Sequence, residues 1–319
     1  MSVKKMSKIN KEQNVRISRG RKRFAENSQL LTLALPAIIL LFIFCYIPMF
    51  GILIAFKDFK PVKGFFDSPW TGFKNFEFFF LSQDFFRIVR NTVGYALLFI
   101  ALKIVVGVII ALMLYEVSNR KALKYYQTTM ILPNFLSWVV VGYMSYLLLN
   151  PASGMFNQMI RFFGGEGIKW YSEPKVWPII LPIVNSWKNI GMDSIMFYAA
   201  LMGLDAEVYE AATIDGANKW QQTLKISIPL LAPITCIIGI LAMGSVFRGD
   251  YGLFYQIPRN VGALYSTTDV IDTYVMRGVM QGNIGPTAAV GLVQSVVGLV
   301  MVVATNLVVK KIDPDSSLF

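Results

Sequence analysis

Apolar residues run along this chain in six long stretches, each separated from the next by a more polar segment. The stretches cover residues 30–56, 91–115, 127–149, 178–203, 228–247 and 286–309. A helix needs about 20 mainly apolar residues to cross a hydrocarbon core about 30 Å thick, and every stretch reaches that length. The pattern therefore predicts an all-α integral membrane protein with six transmembrane helices.

The composition agrees with this fold class and narrows the chemistry. Hydrophobic residues make up 55% of the 319 residues, and charged residues make up 15%. The chain has no His, which excludes imidazole as a general base, proton relay or metal ligand. Its two cysteines, Cys45 and Cys236, fall within apolar stretches and predict no disulfide framework. We predict no metal site and no catalytic residue.

Basic residues are concentrated before the first apolar stretch. Residues 1–29 contain nine Lys or Arg against two Glu, a net charge of +7. The positive-inside rule places this segment in the cytoplasm, and a nucleic-acid-binding tail is the alternative. Six spans then return the tail at 310–319 to the same side, after a transmembrane domain at 30–309. The stretch at 30–56 is too long for the core of a cleaved signal peptide.

A polar loop separates the fourth and fifth apolar stretches, on the side predicted to be cytoplasmic. Residues 204–227 contain Glu210-Ala211-Ala212-Thr213-Ile214-Asp215-Gly216-Ala217. The pattern predicts a short helix over 205–214, and then a turn at Asp215-Gly216, because glycine readily adopts the left-handed backbone that ends a helix. A second short helix should run to Pro229. A loop of this length favours such a helical hairpin over an ordinary polar connection.

This loop resembles the EAA motif of the permeases of importer-type ATP-binding-cassette (ABC) transporters. The matching residues are Glu210, Ala211, Ala212, Asp215, Gly216 and Ala217, followed by Ile226 and Pro229. The resemblance implies the MetI-like permease fold, with a cytoplasmic coupling helix between helices 4 and 5 that docks on an ATPase subunit. It assigns Glu210 to a polar or ionic contact with the ATPase, Ala211 and Ala212 to a close-packing surface, and Gly216 to the turn. The chain departs from many members at Thr223, where they have a large apolar residue.

Other segments resemble the carbohydrate-uptake permeases of this family, and the likeness runs from about Leu30 onward. These segments are Leu132-Pro133, Asn150-Pro151-x-x-Gly154-x-x-Asn157, Trp187-Lys188-Asn189-x-Gly191, Asp269-x-x-Asp272-Thr273-Tyr274-Val275-x-Arg277 and Ala288-Ala289-Val290-Gly291-Leu292-x-Gln294-Ser295. The resemblance implies that the cargo is an oligosaccharide or another complex sugar. An importer of peptides, amino acids or phosphate is the alternative.

The fourth apolar stretch is the most polar of the six. Asn185, Asn189 and Asp193 recur every four residues and so follow one face of a helix. Trp187 and Lys188 lie beside them in the sequence. Amides, carboxylates and aromatic rings suit the hydroxyls and the apolar face of a sugar. We predict a substrate pathway at these five residues, with hydrogen bonding between helices as the alternative.

Lys103 lies in the middle of the second apolar stretch, too far from either end to reach the membrane interface. It therefore needs an acidic or a carbonyl partner. Asp193 is one candidate, because a Lys–Asp pair across two helices would offset the burial cost of both charges. A backbone carbonyl is the other candidate.

The resemblance also implies the partners. The sequence has no phosphate-binding glycine loop with Lys and Ser or Thr. We therefore expect no cofactor in this chain and no enzymatic activity, with ATP and Mg bound by separate cytoplasmic ABC ATPase subunits. Six helices are half of the usual transporter bundle, which implies a second permease, homologous or identical. The protein should lie in the plasma (inner) membrane of a prokaryote, in contact with its lipid, with both termini cytoplasmic and no nucleic-acid partner.

The segment at 248–285 should face outward and receive an extracytoplasmic solute-binding protein that delivers the sugar. It is rich in Tyr and Arg, two residue types enriched at interfaces. The candidate contacts are Tyr255, Arg259, Asp272, Tyr274 and Arg277. Packing of this segment on its own bundle is the alternative.

Two other classes of function remain open. A membrane-embedded enzyme would use Asp193 or Asp272 as a catalytic carboxylate, and the absence of His and of an acidic metal cluster in the sequence argues against it. An ion-coupled secondary transporter would show two inverted halves, and no such repeat is visible in the sequence.

Overall fold

The computed structural model describes residues 31–312 of the chain. In this range the backbone is mostly helical, and its β-structure is limited to an isolated bridge between Lys57 and Trp70. The predicted all-α class is therefore confirmed. The basic segment at 1–29 and the tail beyond residue 312 lie outside the described residues. The chain divides into two units, residues 1–54 and 55–319, and most of helix α1 (Leu31–Phe56) belongs to the first.

The helices of the second unit follow one another closely along the chain. They are α2 (Gly64–Asp67), α3 (Lys74–Phe80), α4 (Phe85–Tyr115), α5 (Arg120–Ile131), α6 (Trp138–Leu149), α7 (Met155–Phe162), α8 (Trp177–Met202), α9 (Ala206–Ile214), α10 (Lys219–Leu230), α11 (Ala232–Met243), α12 (Tyr251–Gln256), α13 (Tyr265–Thr268), α14 (Ile271–Met280) and α15 (Ile284–Ile312). Of these, α4 and α15 are long and apolar enough to cross a membrane as single helices, as is α1 in the first unit.

The third predicted span, 127–149, is not one straight helix. α5 and α6 meet at an angle of 96°. Pro133, which has no amide hydrogen, lies in a 3₁₀ turn before the bend, and Leu136 and Ser137 have extended backbone at the bend itself. α6 has 12 residues, a length of about 18 Å, which is well short of the hydrocarbon core. The segment predicted as the third span is therefore a bent pair of helices.

The fifth predicted span is bent as well, and the fourth is a continuous helix. α10 and α11 meet at 49°, close to Pro229 and Pro233, and each proline removes one helical hydrogen bond. α8 has 26 residues, enough to cross a membrane, but its polar face makes it less apolar than the helices named above. In residues 31–312, three single helices qualify as spans by length and composition, or five segments when each bent pair counts as one. α8 is the remaining one of the six predicted segments.

α4 and α8 lie side by side at the centre of the second unit and run parallel. Lys103 pairs with Asp193, and one helical turn further on Gly107 lies against the ring of Phe197. The C-terminal halves of both helices contribute to a buried cluster of Ala111, Phe197, Leu201, Leu231 and Ile238. Their N-terminal halves contribute to another, with Tyr95, Val141, Leu149, Trp177, Leu181, Leu253, Phe254, Ile257, Leu264 and Val270. The unit therefore has two distinct ends, with α9 following α8 at one end and segment 248–285 packed at the other.

A buried carboxylate organises the end formed by segment 248–285. The Asp269 side chain is fully buried and accepts hydrogen bonds from Arg277 at 2.7 Å, Thr273 at 2.8 Å and Arg87 at 3.2 Å. The guanidinium of Arg277 also lies 4.3 Å from the ring centroid of Tyr265. Because Arg87 belongs to α4 and Arg277 to α14, these contacts fasten the segment to the central helices.

Candidate functional site

Side-chain caps stabilise the first turn of both helices of the hairpin, which is formed by α9 and α10 (residues 205–230). The carboxylate of Asp205 accepts a hydrogen bond from the Glu207 amide at 3.0 Å. The side chain of Asn218 accepts one from the Gln221 amide at 2.9 Å, and the Gln221 side chain accepts one from the Asn218 amide at 2.8 Å. These caps satisfy amides that have no partner in the first turn of a helix.

The turn between the two helices forms as predicted. The Ala217 amide donates to the Ala212 carbonyl at 2.9 Å, and the Gly216 amide donates to the Thr213 carbonyl at 3.1 Å. This pair of bonds is a Schellman motif, which needs a residue with left-handed backbone. Gly216 supplies it, with a φ of 80°.

Side-chain hydrogen bonds then hold the two helices of the hairpin together. The buried amide of Gln222 donates to the Thr213 hydroxyl at 2.9 Å and to the Ala217 carbonyl at 3.2 Å. The hydroxyls of Tyr209 and Ser227 lie 2.9 Å apart. Because these bonds join α9 to α10, we expect the hairpin to move as one body.

The hairpin is joined to both central helices. α8 leads into α9 through three residues, 203–205. Lys219 of α10 lies 3.3 Å from the carboxylate of Glu116, the residue that caps the C-terminus of α4. The rings of Tyr115 and Tyr209 add a contact with centroids 6.0 Å apart. A movement of the hairpin would therefore reach α4 and α8 directly.

Most of the residues predicted to couple to an ATPase are accessible. Glu210, Ala211, Asp215 and Gly216 are exposed, whereas Ala212 and Ala217 are partly buried. The structure adds large apolar side chains that sequence reasoning missed. They are Ile214, Trp220 and Leu224, with 87%, 76% and 58% of their surface exposed. Their signal in the sequence was a large apolar residue within an otherwise polar loop.

A polar cavity lies beside the central helices, with a volume of about 520 Å³. Its polar and charged lining residues are Lys103, Asn134, Asn185, Ser186, Asn189, Asp193, Ser245, Arg248 and Asp250. Phe99 and several aliphatic side chains complete the wall. The polar stripe predicted on the fourth span therefore does face a cavity.

Charged and amide side chains are paired within this cavity. Lys103 lies 3.2 Å from the Asp193 carboxylate, which confirms the acidic partner considered for it. Asn189 accepts a hydrogen bond from Asn134 at 3.1 Å and donates to the Asn185 side chain at 3.0 Å. The cavity thus presents a row of amides ending in an ion pair.

Trp187 and Lys188 do not line this cavity. Lys188 is buried, donates to the Asn134 carbonyl at 2.7 Å and lies 5.2 Å from the ring centroid of Trp138. Trp187 lines a separate, mainly apolar depression with residues such as Ile183 and Val184. The structure brings together three of the five residues predicted for the substrate pathway and separates these two from them.

Three of the five candidate contacts for a binding protein are engaged within the chain. Asp272 accepts hydrogen bonds from the Gly249 amide and from Gln294, while Arg277 pairs with Asp269 as described above. Burial raises the pKa of Asp272, and the two hydrogen bonds it accepts only partly offset this effect. The ring of Tyr274 packs against that of Phe79, with ring centroids 5.7 Å apart.

The other two candidate contacts, Tyr255 and Arg259, line an open pocket. Arg259 is exposed and Tyr255 is half-buried. Both also pack within the chain, because the Tyr255 ring stacks on that of Tyr251 with centroids 4.9 Å apart and Arg259 lies over the ring of Tyr146, but both still border the pocket.

Comparison with known proteins gives a consistent result. A family model described as "Binding-protein-dependent transport system inner membrane component" matches residues 103–314. The chain is 35% identical over 287 residues to Protein LplB of Bacillus subtilis (strain 168), covering 90% of each chain. It is 32% identical over 290 residues to the polygalacturonan/rhamnogalacturonan transport system permease protein YteP of the same organism, covering 91% of this chain and 90% of YteP.

The fold is shared with a solved structure. A bacterial alginate ABC transporter in complex with alginate pentasaccharide-bound periplasmic protein contains a chain that superposes with a TM-score of 0.82 and 30% identity. The alignment covers 91% of this chain and 97% of that one. The predicted ABC permease fold is thereby confirmed. With the family model matching most of the chain and LplB aligned along nearly all of it, this protein belongs to the family of binding-protein-dependent transport system inner membrane components.

Proposed function

We propose that this chain is the transmembrane permease subunit of an ATP-driven, binding-protein-dependent importer of oligosaccharides or other complex sugars. The observation that carries the proposal is the hairpin at residues 205–230, which is internally bonded, exposed, and joined to α4 and α8 beside the cavity. Family membership supports the transport role.

The exposed face of the hairpin supports docking to a cytoplasmic ABC ATPase that binds ATP and Mg. Ile214 and Trp220 would bury apolar surface in the contact, Glu210 would add a polar or ionic bond, and Ala211 would allow close approach. Closure of the ATPases would then move the hairpin, and α4 and α8 would carry that movement to the cavity. This is alternating access, in which each nucleotide state favours one opening. The permease itself makes and breaks no covalent bond.

Both the cavity and the relatives support a sugar cargo. YteP is named for transport of polygalacturonan and rhamnogalacturonan, and the solved relative transports alginate. In this chain Asn185, Asn189 and Asp193 would bond sugar hydroxyls, and Phe99 would contact the apolar face of a sugar ring. These roles favour a carbohydrate over a peptide, amino acid or phosphate.

The two ends of the second unit support an orientation in the inner membrane. The hairpin would face the cytoplasm with both termini, and segment 248–285 would face outward. A solute-binding protein would dock on that outer end, as the periplasmic protein in the solved relative's complex suggests. A second permease, identical or homologous, would complete the transporter.

Reconstitution in proteoliposomes tests the proposal. The Glu210→Ala and Gly216→Val variants should keep ATPase subunits but lose coupling, so that sugar uptake falls while ATP hydrolysis no longer responds to the loaded binding protein. Glu166→Ala, an exposed acid on the predicted outer side, is the control and should behave as wild type. Wild-type uptake and wild-type ATPase stimulation in both hairpin variants would refute the proposal.

A further inference from the structure

A second, smaller pocket lies near the end of the unit opposite the hairpin. It has a volume of about 220 Å³ and is lined by Val139, Gly142, Tyr143, Tyr146, Tyr255, Gln256 and Arg259. The substrate pathway proposed above does not use it. Among the described residues its lining combines three tyrosines, an amide and one guanidinium, without a carboxylate.

Arg259 is held in this pocket by its backbone and by two rings. Its φ is 56°, and that of the next residue, Asn260, is 51°. Two successive non-glycine residues in the left-handed region are uncommon and strained. The Tyr265 hydroxyl donates to the Asn260 side chain at 2.9 Å, which helps to maintain this turn. The Arg259 guanidinium lies 4.1 Å from the ring centroid of Tyr146 and 6.0 Å from that of Tyr143.

The guanidinium lies beside these two rings and has no anionic partner within residues 31–312. In this part of the chain it contacts the two tyrosine rings and interacts electrostatically with Tyr171, without a hydrogen bond or an ion pair. Arg87 and Arg277, at the same end of the unit, both bond the carboxylate of Asp269. Arg259 thus keeps its planar set of N–H donors available, and that geometry matches a carboxylate in a bidentate manner.

The pocket is close to the polar cavity along the chain. α12 connects the two sites. Asp250, just before its first residue, lines the cavity and accepts a hydrogen bond from the Trp138 indole at 2.7 Å. Gln256, its last residue, lines the pocket. A helix of this length spans about 9 Å. Gly142 lets α6 approach α12 here, since a Cβ on it would lie 2.9 Å from the Gln256 carbonyl. A chain-like ligand could therefore occupy the pocket while approaching the cavity.

We propose that this pocket binds a carboxylate-bearing sugar residue, such as a uronate, of the incoming oligosaccharide. Arg259 binds the carboxylate, Tyr143 and Tyr255 contact the apolar face of the ring, and the Gln256 amide bonds a hydroxyl. The inference rests on the proposed function and extends it, because it selects acidic over neutral oligosaccharides.

Calorimetric titration of the permease–ATPase complex in detergent tests the proposal. The binding protein is left out, because its own sugar site would mask the pocket. The ligands are trigalacturonate and its fully methyl-esterified form, which share one backbone and differ in charge. Wild type should bind the acid at least tenfold more tightly than the ester. Arg259→Gln should weaken binding of the acid about tenfold to a hundredfold, the range expected for loss of a hydrogen bond to a charged group.

Matched variants and ligands make the outcome decisive. Arg259→Gln should leave the ester's affinity within about twofold, and Arg259→Lys should retain part of the preference because it keeps the charge without the planar fork. Lys169→Gln removes an exposed charge outside the pocket and should change neither affinity. Equal affinity of wild type for acid and ester would overturn the proposal, as would equal weakening of both ligands by Arg259→Gln.

Docking of the binding protein provides a further discriminating measurement. If Arg259→Gln weakened that docking and left both sugar affinities unchanged, the arginine would be a protein contact and the proposal would be wrong. The proposed function would survive such a result, because the Glu210 and Gly216 variants test coupling independently of the cargo's charge.

Discussion

The hairpin at residues 205–230 and the segment at 248–285 were both predicted to bind partner proteins, but their side chains differ in exposure and in bonding within the chain. In the hairpin, Glu210 is exposed, and large apolar residues such as Trp220 stand beside it in solvent. In the segment, Asp272 and Arg277 bond other residues of the same chain. The motif resemblance marked the hairpin as an interface and the Tyr and Arg content marked the segment, but only bonding within the chain distinguishes a docking surface from internal packing.

The difference has a simple energetic basis. Covering a large, exposed apolar side chain with a partner lowers the free energy of the system. A buried ion pair such as Asp269 with Arg277 is already desolvated and bonded, so a partner would have to break it before using either group. The hairpin can therefore gain free energy from a partner, whereas most of segment 248–285 stabilises the end of the unit opposite the hairpin.

Removing the buried carboxylate should produce the largest effect on stability. Asp269→Asn would leave two arginines without their charged partner and should lower the free energy of unfolding by about 3–5 kcal/mol. Thermal unfolding of the purified protein in detergent measures this. Asp58→Asn is the matched control, because its ion pair with Lys60 is half exposed and should contribute about 0–1 kcal/mol. Equal unfolding midpoints for Asp269→Asn and Asp58→Asn would contradict the claim that bonds to Asp269 hold segment 248–285 together.

The hairpin should show the opposite behaviour, with loss of partner and little loss of stability. Trp220→Ser or Ile214→Ser should reduce ATPase binding about tenfold or more, as expected for an apolar residue central to an interface. The unfolding free energy should change by at most about 0.5 kcal/mol, because both side chains are exposed. Copurification with the ATPase in mild detergent is the measurement. Phe162→Ser, at an exposed phenylalanine outside the hairpin, should retain the ATPase; equal losses would contradict the assignment.

Loss of the ion pair in the cavity should change the free energy of unfolding by an amount between those of the Asp269 and hairpin variants. Lys103 and Asp193 keep 34% and 15% of their side-chain surface exposed, so each charge is only partly desolvated. Lys103→Met and Asp193→Asn should each destabilise the protein, and the double variant should recover part of the loss. A coupling energy of about 1 kcal/mol is expected from a double-mutant cycle on the unfolding free energy. Strictly additive effects would show that the two groups do not stabilise one another.

The smallest effect concerns the pH dependence of stability. Burial raises the pKa of Asp272 above its usual range, so the folded protein binds this proton more tightly than the unfolded chain does. The stabilisation is complete below the ordinary carboxyl pKa and is lost as pH rises through the raised value. Asp272→Asn should remove this part of the pH dependence, which unfolding midpoints measured from pH 4 upward would reveal. A variant with an unchanged pH profile would indicate that another group titrates there.

Much of the hairpin was predictable because its determinants are local. Asp205, Asn218 and Gly216 act through hydrogen bonds and backbone angles within a few residues. The predicted helix over 205–214 and the turn at Asp215-Gly216 therefore agree closely with the structure. The exposure of Trp220 was not predictable in the same way, because it depends on what the rest of the bundle leaves uncovered.

The substrate pathway was only partly predictable, for a geometric reason. Residues four apart share a helix face, so Asn185, Asn189 and Asp193 stay together in the cavity. Neighbours in sequence point about 100° apart on a helix, given 3.6 residues per turn, and Lys188 accordingly turns away to bond the Asn134 carbonyl. Ser186, next to Asn185, lines the cavity, whereas Lys188, next to Asn189, does not, so the face of the helix and not adjacency in the sequence decides membership of the cavity.

The sequence by itself determined the helical membrane class, the six apolar segments and the hairpin, because hydrophobic periodicity, capping and glycine turns act over short distances along the chain. Only the tertiary structure decided that α5 and α6 form a bent pair, that Lys103 pairs with Asp193 and that Asp269 bonds two arginines. It also decided that Arg259 has no acidic partner among residues 31–312. Which charge meets which partner depends on contacts between residues far apart in the chain, and those are set by packing of the whole helical bundle.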